Sequence, residues 1–449
     1  SLLFDKLFDA KGEAPDAEKL TPNLALSAEQ IDDKTIEYKL RDGVMFHDGT
    51  EFTAEDVKAT FEYASQPDKA SFGWFPGVVK GKVIDKYTVQ LSTENPSGSL
   101  WFSAAFIPIL AKKDIDAKTI ADKPNGTGPF KLLKQEGDTT ILERNEKYWK
   151  GHPQLKQIQW KYVPDSSTRL LALKAGEADV IDRLEPEQAK NLESTGEIAV
   201  QKVLTPESKW LIFRNTGPFK DNEKLRQAIA YAIDRNAILE LLGEAGGPAK
   251  NFVMPAKFGY AEMAWPYEYD LDKAKSLLAE AGYPNGQGLP ELEYITSSGF
   301  YPKTKEYGEL IVAQLQQIGI KAKLTVLETA AWLDKLYSVD QGNLIDTGWM
   351  TGNPEPDLVL RPLFYSKSAR ITGSADPEID ATLDKEAGIA NISERRKVLQ
   401  SETFPLLAQK LPAIPLFNSV LLTGVRKEVI NFKIYPTVVT VDIVNTSKM

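Results

Sequence analysis

Cysteine is absent from the 449 residues. That excludes disulfides, thiolate metal sites and a cysteine nucleophile, and it fits an exported chain that avoids redox liabilities. Histidine occurs only as His47 and His152. Two isolated imidazoles leave little for a nucleophile–histidine pair or a histidine-built metal centre. The chain has no Gly-x-Ser-x-Gly elbow, P-loop or His-Glu-x-x-His run, so the common hydrolase, nucleotide and zinc-protease motifs are missing. Gly126-Thr127-Gly128 lacks the third glycine of a dinucleotide loop and runs into Pro129. No apolar run approaches the roughly 20 residues of a membrane-spanning helix. Positive charge is in deficit, with 54 Lys and Arg against 63 Asp and Glu and a net charge of −9. A nucleic-acid partner needs a basic face, which this balance argues against. The basic clusters Lys224-Leu225-Arg226 and Arg395-Arg396-Lys397 are short and interleaved with acids, and read as solvated helix faces. Carboxylates are plentiful, but no spacing singles out a glycosidase pair.

The composition is that of a globular protein, with 42% hydrophobic and 26% charged residues. The length exceeds one ordinary core and predicts two or more lobes. The periodicity is clearest over 291–350. Leu292, Tyr294 and Thr296 alternate as a strand. Tyr307, Leu310, Ile311, Leu315 and Ile318 line one helical face, with Gly319 at the stop. Ala322, Leu324 and Val326 alternate again, a short helix covers Ala330–Tyr337, and Leu344–Met350 forms a third strand. This β-α-β-α-β order predicts parallel pairing with right-handed crossovers. Gln157–Asp182 predicts a second such unit, with a helix over Ser166–Ala175 closed by Gly176. Helices are predicted over Asn222–Ile233 and after the cap Asp270. Pro412–Phe417 reads as an apolar strand with edge prolines, and Val420–Met449 as strand-rich.

Tyr38–Val57 reads as strand, tight turn and helix, with Gly43 and Gly49 freeing the backbone and Thr53 and Asp56 spaced as a capping box. As a string it closely resembles the signature of the large extracytoplasmic solute-binding proteins that deliver peptides, nickel chelates, sugars or opines to ABC importers. Three further blocks follow in order: Asn125–Phe130 with Leu142–Trp149, then Leu225–Arg235, then Ala274–Pro284. The resemblance covers nearly the whole chain. It implies an α/β, bilobal, periplasmic-binding-protein type II-like fold, with two mixed-sheet lobes, an extra subdomain and a hinge. Lobe one is expected at 1–213 plus 420–449, with the subdomain at about 31–150, and lobe two at 214–419. The chain crosses at Phe213-Arg214 and Asn418-Ser419. The chain opens at Ser1-Leu2-Leu3-Phe4 without Met or a basic leader, so no signal peptide lies in the given sequence. The resemblance also implies a strand and loop ahead of the segment matching Ser1–Leu7.

Such a protein is periplasmic or lipid-anchored outside the membrane, is no enzyme, needs no cofactor or metal, and works as a monomer with a small-molecule ligand and an importer permease. Ligands of open α/β sheets sit at the carboxyl ends of strands. Those ends are Ser297-Ser298-Gly299, Leu327-Glu328 and the block Thr347–Asp357, with Asp182-Arg183 in lobe one. The block resembles the main ligand loop of the family, so Trp349, Met350, Thr351, Gly352 and Asn353 are candidate ligand contacts, with Trp349 offering a flat ring. Arg183 and Arg214 are candidate clamps for a carboxylate or phosphate. Tyr301, Trp210, Trp265, Trp332 and Phe417 are candidates for an aromatic cleft, two or three of them in contact with ligand, and Ser298 and Asn418 border it. Peptide binders of the family carry an ammonium-pairing aspartate where this chain has Gly352, and their carboxylate-binding arginine falls near Ser298. A buried ammonium without an anion is costly. These departures favour a sugar, sugar-phosphate conjugate or opine-like ligand. A di- or oligopeptide ligand, with Asn353 or Glu355 replacing the aspartate, is the alternative. A nickel chelate ranks third, and a glycoside hydrolase is the remote reading from another class.

Overall fold

The structure, a computed structural model, describes residues 2–9, 20–69, 75–103, 106–196, 198–298, 300–435 and 440–449. Its spine is a seven-stranded sheet crossed by two long strands, Ile198–Phe213 and Ala413–Arg426, which pair antiparallel. On one side Ile198–Phe213 pairs with Leu344–Met350, which lies parallel to Leu292–Ser298, itself parallel to Ala322–Glu328. The two crossover helices are Thr304–Gln316 and Thr329–Leu336. The β-α-β-α-β reading therefore stands element by element. Tyr307, Ile311, Leu315 and Ile318 are buried as the spacing requires, while Leu310 is half-buried.

The reading of Gln157–Asp182 needs correcting. Its strand and helix exist, at Gln157–Lys161 and Ser166–Ala175, with Gly176 in the left-handed region. The strand, however, joins an antiparallel three-stranded sheet with Phe130–Glu136 and Thr139–Arg144. The next strand, Val180–Ile181, pairs antiparallel with Ala413–Arg426 in the main sheet. Period-2 alternation marks a strand but not its partner.

Capping fixes several helix starts as their sequences suggest. Asn222 accepts from Leu225 N, Asp270 from Lys273 N, and Asp165 from Thr168 N. Asp56 accepts from Thr53 N at 2.8 Å, opening the helix Ala54–Ala64. A separate antiparallel sheet of Ala25–Asp32, Thr35–Leu40, Lys80–Asp85 and Thr88–Ser92 packs with that helix around Val57, Phe61, Val89 and Leu91. This is the region expected as the extra subdomain. It also touches the largest core directly, because Phe102 stacks on Phe258 with centroids 4.9 Å apart.

Trp210, Leu211, Ile212 and Phe213 all pack in that largest core, with the helices Glu223–Ala232 and Leu271–Glu280. The ladder between the long strands breaks register between Leu204 and Ser208, opposite Val420 and Asn418. The break lies beside Asn418-Ser419, one of the two positions where a lobe crossing is expected.

The expectation of solvated basic faces fails for Arg226 and Arg395. Arg226 is buried and donates to the carbonyls of Phe219 and Lys410. Arg395 is fully buried among carboxylates.

Candidate functional site

The carboxyl ends of Leu292–Ser298 and Leu344–Met350 meet the register break of the long strands. Antiparallel partners share a face. Met350 lies opposite Glu207, Gly348 opposite Lys209, and Trp349 opposite Ser208, which in turn lies opposite Asn418. One face thus collects Glu207, Lys209, Gly348 and Met350, and the other Ser208, Trp349 and Asn418. Gly348 leaves room for its neighbours: an ideal Cβ there would lie 2.4 Å from Glu207 Oε1 and 3.0 Å from Lys209 Cδ, so any side chain would displace them.

The loop after Trp349 is held from behind. Trp349 is half-buried, and its indole N–H donates to Leu358 O at 2.8 Å. Met350 is 50% exposed, and Thr351 and Gly352 are half-buried. The buried Lys257 ammonium donates to the carbonyls of both Thr351 and Asn353. Burial lowers the Lys257 pKa to about 7, opposed by the nearby Glu355 charge. Asn353 is buried; its Oδ1 accepts from Glu355 N at 2.9 Å, while its Nδ2 has no hydrogen-bond partner. Glu355 cannot serve a ligand, because Arg395 grips it with two bonds of 2.8 and 2.6 Å. The loop therefore presents no side-chain anion at Gly352 or beside it.

The second cluster lies on the face of Glu207. Lys209 is fully buried, 3.6 Å from Asp346 Oδ2, with its ammonium 3.2 Å from the centre of the Tyr301 ring. Tyr307 O–H donates to the same Asp346 oxygen. Burial pushes the Lys209 pKa down and the Glu207 pKa up; Lys209, the Ser419 hydroxyl and Arg183 oppose the second shift. Lys209 Nζ, Asp346 Oδ1, Tyr294 OH and Thr296 Oγ1 are buried without a hydrogen-bond partner. Buried polar groups in native proteins are nearly always bonded, so this cluster is conspicuously under-satisfied.

The other candidates divide sharply. Arg183 stands at the end of Val180–Ile181, 65% exposed and in the left-handed region at φ 53°. Ser298 is half-buried at its strand end, and Gly299 lies outside the described residues. Tyr301 is half-buried, its hydroxyl 3.2 Å from both Gly348 O and Gly348 N. Asn418 is buried, accepting from Ser208 Oγ at 2.7 Å and donating to Pro248 O at 3.1 Å.

Arg214 is not a free clamp. It is buried, and its guanidinium donates to the carbonyls of Ile371, Lys335 and Leu336, with burial lowering its pKa to about 10. The aromatic cleft also contracts. Trp210, Trp332 and Phe417 are almost wholly buried in the largest core. Trp265 is packed against Phe252, Tyr267 and Arg235. Of the five rings only Tyr301 keeps appreciable exposure at these strand ends. His47 is structural, its two ring nitrogens engaging Gly128 O and Gly126 N. Among the described residues, no group of three or more His, Asp or Glu side chains is placed to hold a metal ion.

Sequence reasoning missed Glu207, Lys209 and Asp346. A signal existed: Glu207 and Lys209 are charges two apart, leading into the apolar run Trp210–Phe213, so both fall on one face of a buried strand. Lys257 and Arg395 carried no local signal.

The family model described as bacterial extracellular solute-binding proteins, family 5 Middle, matches residues 19–370. The heme-binding protein A of Haemophilus influenzae is 32% identical, covering 93% of this chain and 82% of that protein. The glutathione-binding protein GsiB of Escherichia coli strain K12 is 30% identical, covering 94% and 85%. The solved structure of AgaA from A.tumefacien R10, in complex with agropinic acid, superposes with a TM-score of 0.80 at 27% identity, covering all of this chain and 93% of that one. The chain belongs to the family 5 solute-binding proteins of ABC importers. Its mixed α/β architecture is that of periplasmic binding proteins. Its relatives are solute-binding proteins, and no described helix is long and apolar enough to cross a membrane.

Proposed function

We propose that this chain is the non-enzymatic, extracytoplasmic, monomeric binding component of an ABC importer, and that it closes two lobes over a small polar organic ligand such as a sugar, a sugar-phosphate conjugate or an opine-like compound. The observation that carries the ligand class is the anion-free loop: Gly352 has no side chain, and Glu355 is consumed by Arg395. A peptide ammonium buried against this loop would have no counter-charge there, at a cost of several kcal/mol. The likeness to AgaA, solved in complex with agropinic acid, supports the opine-like member of the set.

The lobes of the proposal are the segments up to about 207 plus 420–449, and about 208 to 419, hinged where the long strands lose register. The ion pair between Lys303 and Glu187, at 3.2 Å, bridges them.

A peptide-type ligand is the second reading, favoured by the glutathione-binding relative. A nickel chelate ranks below it for want of a histidine cluster. A thermal-shift panel of di- and tripeptides, sugars, sugar phosphates and opines tests the ligand class. Strong stabilisation by simple peptides alone sinks the non-peptide reading. Turnover of oligosaccharides in the same samples, followed by mass spectrometry, would overturn the binding-only role.

A further inference from the structure

We propose that the stretch 97–102, in the region expected as the extra subdomain, positions the loop 351–357 from behind by packing on both of the groups that hold it. The role rests on that loop being the ligand loop, and it makes the site depend on residues that do not line it.

The loop is held in two places. Residues 257 and 258 take its backbone: the Lys257 ammonium donates to the carbonyls of Thr351 and Asn353, and Phe258 N donates to Pro354 O at 2.8 Å. Arg395 takes the next residue, Glu355, through two bonds, while Glu355 Oε1 also accepts from Asp357 N at 3.0 Å.

The stretch 97–102 touches both holders. The Phe102 ring lies against Phe258, with centroids 4.9 Å apart and both rings wholly buried. Gly98 lies against Arg395. An ideal Cβ at Gly98 would be 2.6 Å from Arg395 Cδ and 2.6 Å from Ile389 O, so any side chain would displace the arginine from its seat. The Gly98 backbone is outside the left-handed region, so glycine serves here for space and not for conformation. The two contacts form one seam, because the Arg395 guanidinium carbon is 5.6 Å from the centre of the Phe258 ring.

The stretch is anchored on its own side as well. Ser97 N donates to Asp33 O at 3.2 Å, between the strands Ala25–Asp32 and Thr35–Leu40. The buried Ser97 and Ser99 hydroxyls are 3.0 Å apart, Ser99 N donates to Ser97 Oγ at 3.2 Å, and Phe102 N donates to Ser99 O at 3.0 Å. Close-packed interiors transmit a displacement instead of absorbing it. A shift of this stretch therefore reaches Glu355 through Arg395 and the loop carbonyls through Phe258, along contiguous contacts. Gly98 and Phe102 are positioning residues.

Hydrogen exchange of the ligand-free protein, read by mass spectrometry over the peptide 350–360, tests the coupling. Two amides there are bonded inside the loop, Glu355 N to Asn353 Oδ1 and Asp357 N to Glu355 Oε1. Gly98→Ala and Phe102→Leu are each expected to speed exchange of that peptide by about tenfold, the scale of a local opening eased by one disturbed contact. Phe61→Leu is the control, because Phe61 packs in the separate core with Val57 and Val89. It loosens that core and is expected to leave the loop's exchange unchanged. Unchanged exchange in the seam variants overturns the inference, and so does equally fast exchange in Phe61→Leu, which marks general loosening. Gly98→Ala decides where Phe102→Leu fails to fold.

Calorimetry with agropinic acid and with glutathione separates the seam from the reading beneath it. The seam variants are expected to weaken whichever probe binds by about threefold or more. Affinity that falls with Trp349→Ala but with neither seam variant keeps the ligand loop and overturns its control by the seam. Faster exchange in the seam variants, with affinity indifferent to them and to Trp349→Ala, keeps the seam and takes the loop out of the ligand site. Exchange alone decides the inference where neither probe binds.

Discussion

Two buried ionic clusters flank the loop from Trp349 to Asp357, and they are built on opposite terms. Behind the loop, Arg395 places its fork on Glu355 and its Nε on Glu386 at 2.7 Å, while Arg361 binds Asp357 at 3.0 Å and Asp384 at 3.1 Å. Two oxygens there have no N–H or O–H donor from another residue, Glu386 Oε1 and Asp357 Oδ1. Burial pushes the Glu386 carboxyl strongly upward, and it hydrogen-bonds Asp357. A protonated Glu386 carboxyl would donate to Asp357 and satisfy both oxygens. On the other side, Lys209, Asp346, Tyr294 and Thr296 keep orphaned polar atoms, and Glu207 is only partly compensated. A saturated cluster fixes a loop. The cluster at the strand ends leaves buried polar atoms without a hydrogen-bond partner.

The sharpest way to break this contrast is to remove the cation from the saturated side. Arg395→Met leaves Glu355 and Glu386 buried without their partner, and is expected to cost about 3–5 kcal/mol of stability. Denaturant unfolding measures it. A loss under about 1 kcal/mol would show that the cluster does not hold the loop.

Lys257 gives the next effect, and a pH signature. Its folded pKa is about 7, below its ordinary value of 10.5. Above pH 7 the folded form sheds this proton while the unfolded chain retains it, so this group's contribution to stability rises as pH rises from about 7 toward 10.5. The wild type should gain up to about 1.4 kcal/mol per pH unit from this group. Lys257→Met should lose that slope in unfolding curves at pH 7, 8 and 9. An unchanged slope would contradict a buried, titrating lysine under the loop.

Trp349→Ala is expected to weaken the ligand by about 1–3 kcal/mol while the protein stays folded. Calorimetry on the folded variant reads it. Unchanged affinity would take Trp349 out of the site, and unfolding would make it a core residue only. The smallest effect belongs to Glu386→Gln. If that carboxyl is already protonated, the amide replaces it for less than about 1 kcal/mol. A loss as large as that of Arg395→Met would mean that Glu386 is ionised.

The contrast also explains what the sequence could disclose. Helix starts were legible because Asn222, Asp270 and Asp165 cap their own helices within three residues. The parallel unit over 292–350 was legible because each element carries its own period. Partner choice was not: Gln157–Lys161 alternates correctly, yet pairs with a hairpin neighbour instead of the main sheet. The strand-end loop Thr347–Asp357 is singled out by its resemblance to the family's ligand loop and by its place after the third strand of the unit. Charged side chains were misjudged wherever their partners are distant. Arg214 is consumed by carbonyls at 335, 336 and 371, and Arg395 by Glu355. Without those contacts in view, a buried structural arginine and an available one such as Arg183 look alike.

The most direct measurement compares Glu207→Gln with Glu355→Gln, taking the melting temperature of the ligand-free protein and the Kd of the panel's best binder for each. The account predicts a crossed result. Glu355→Gln lowers the ligand-free melting temperature by a few degrees, the scale of about 3 kcal/mol for a broken buried ion pair in a chain of this length, and leaves the folded protein's Kd nearly unchanged. Glu207→Gln leaves the melting temperature nearly unchanged and weakens Kd by about tenfold. The reverse pattern, with Glu207 carrying stability and Glu355 carrying affinity, would contradict it.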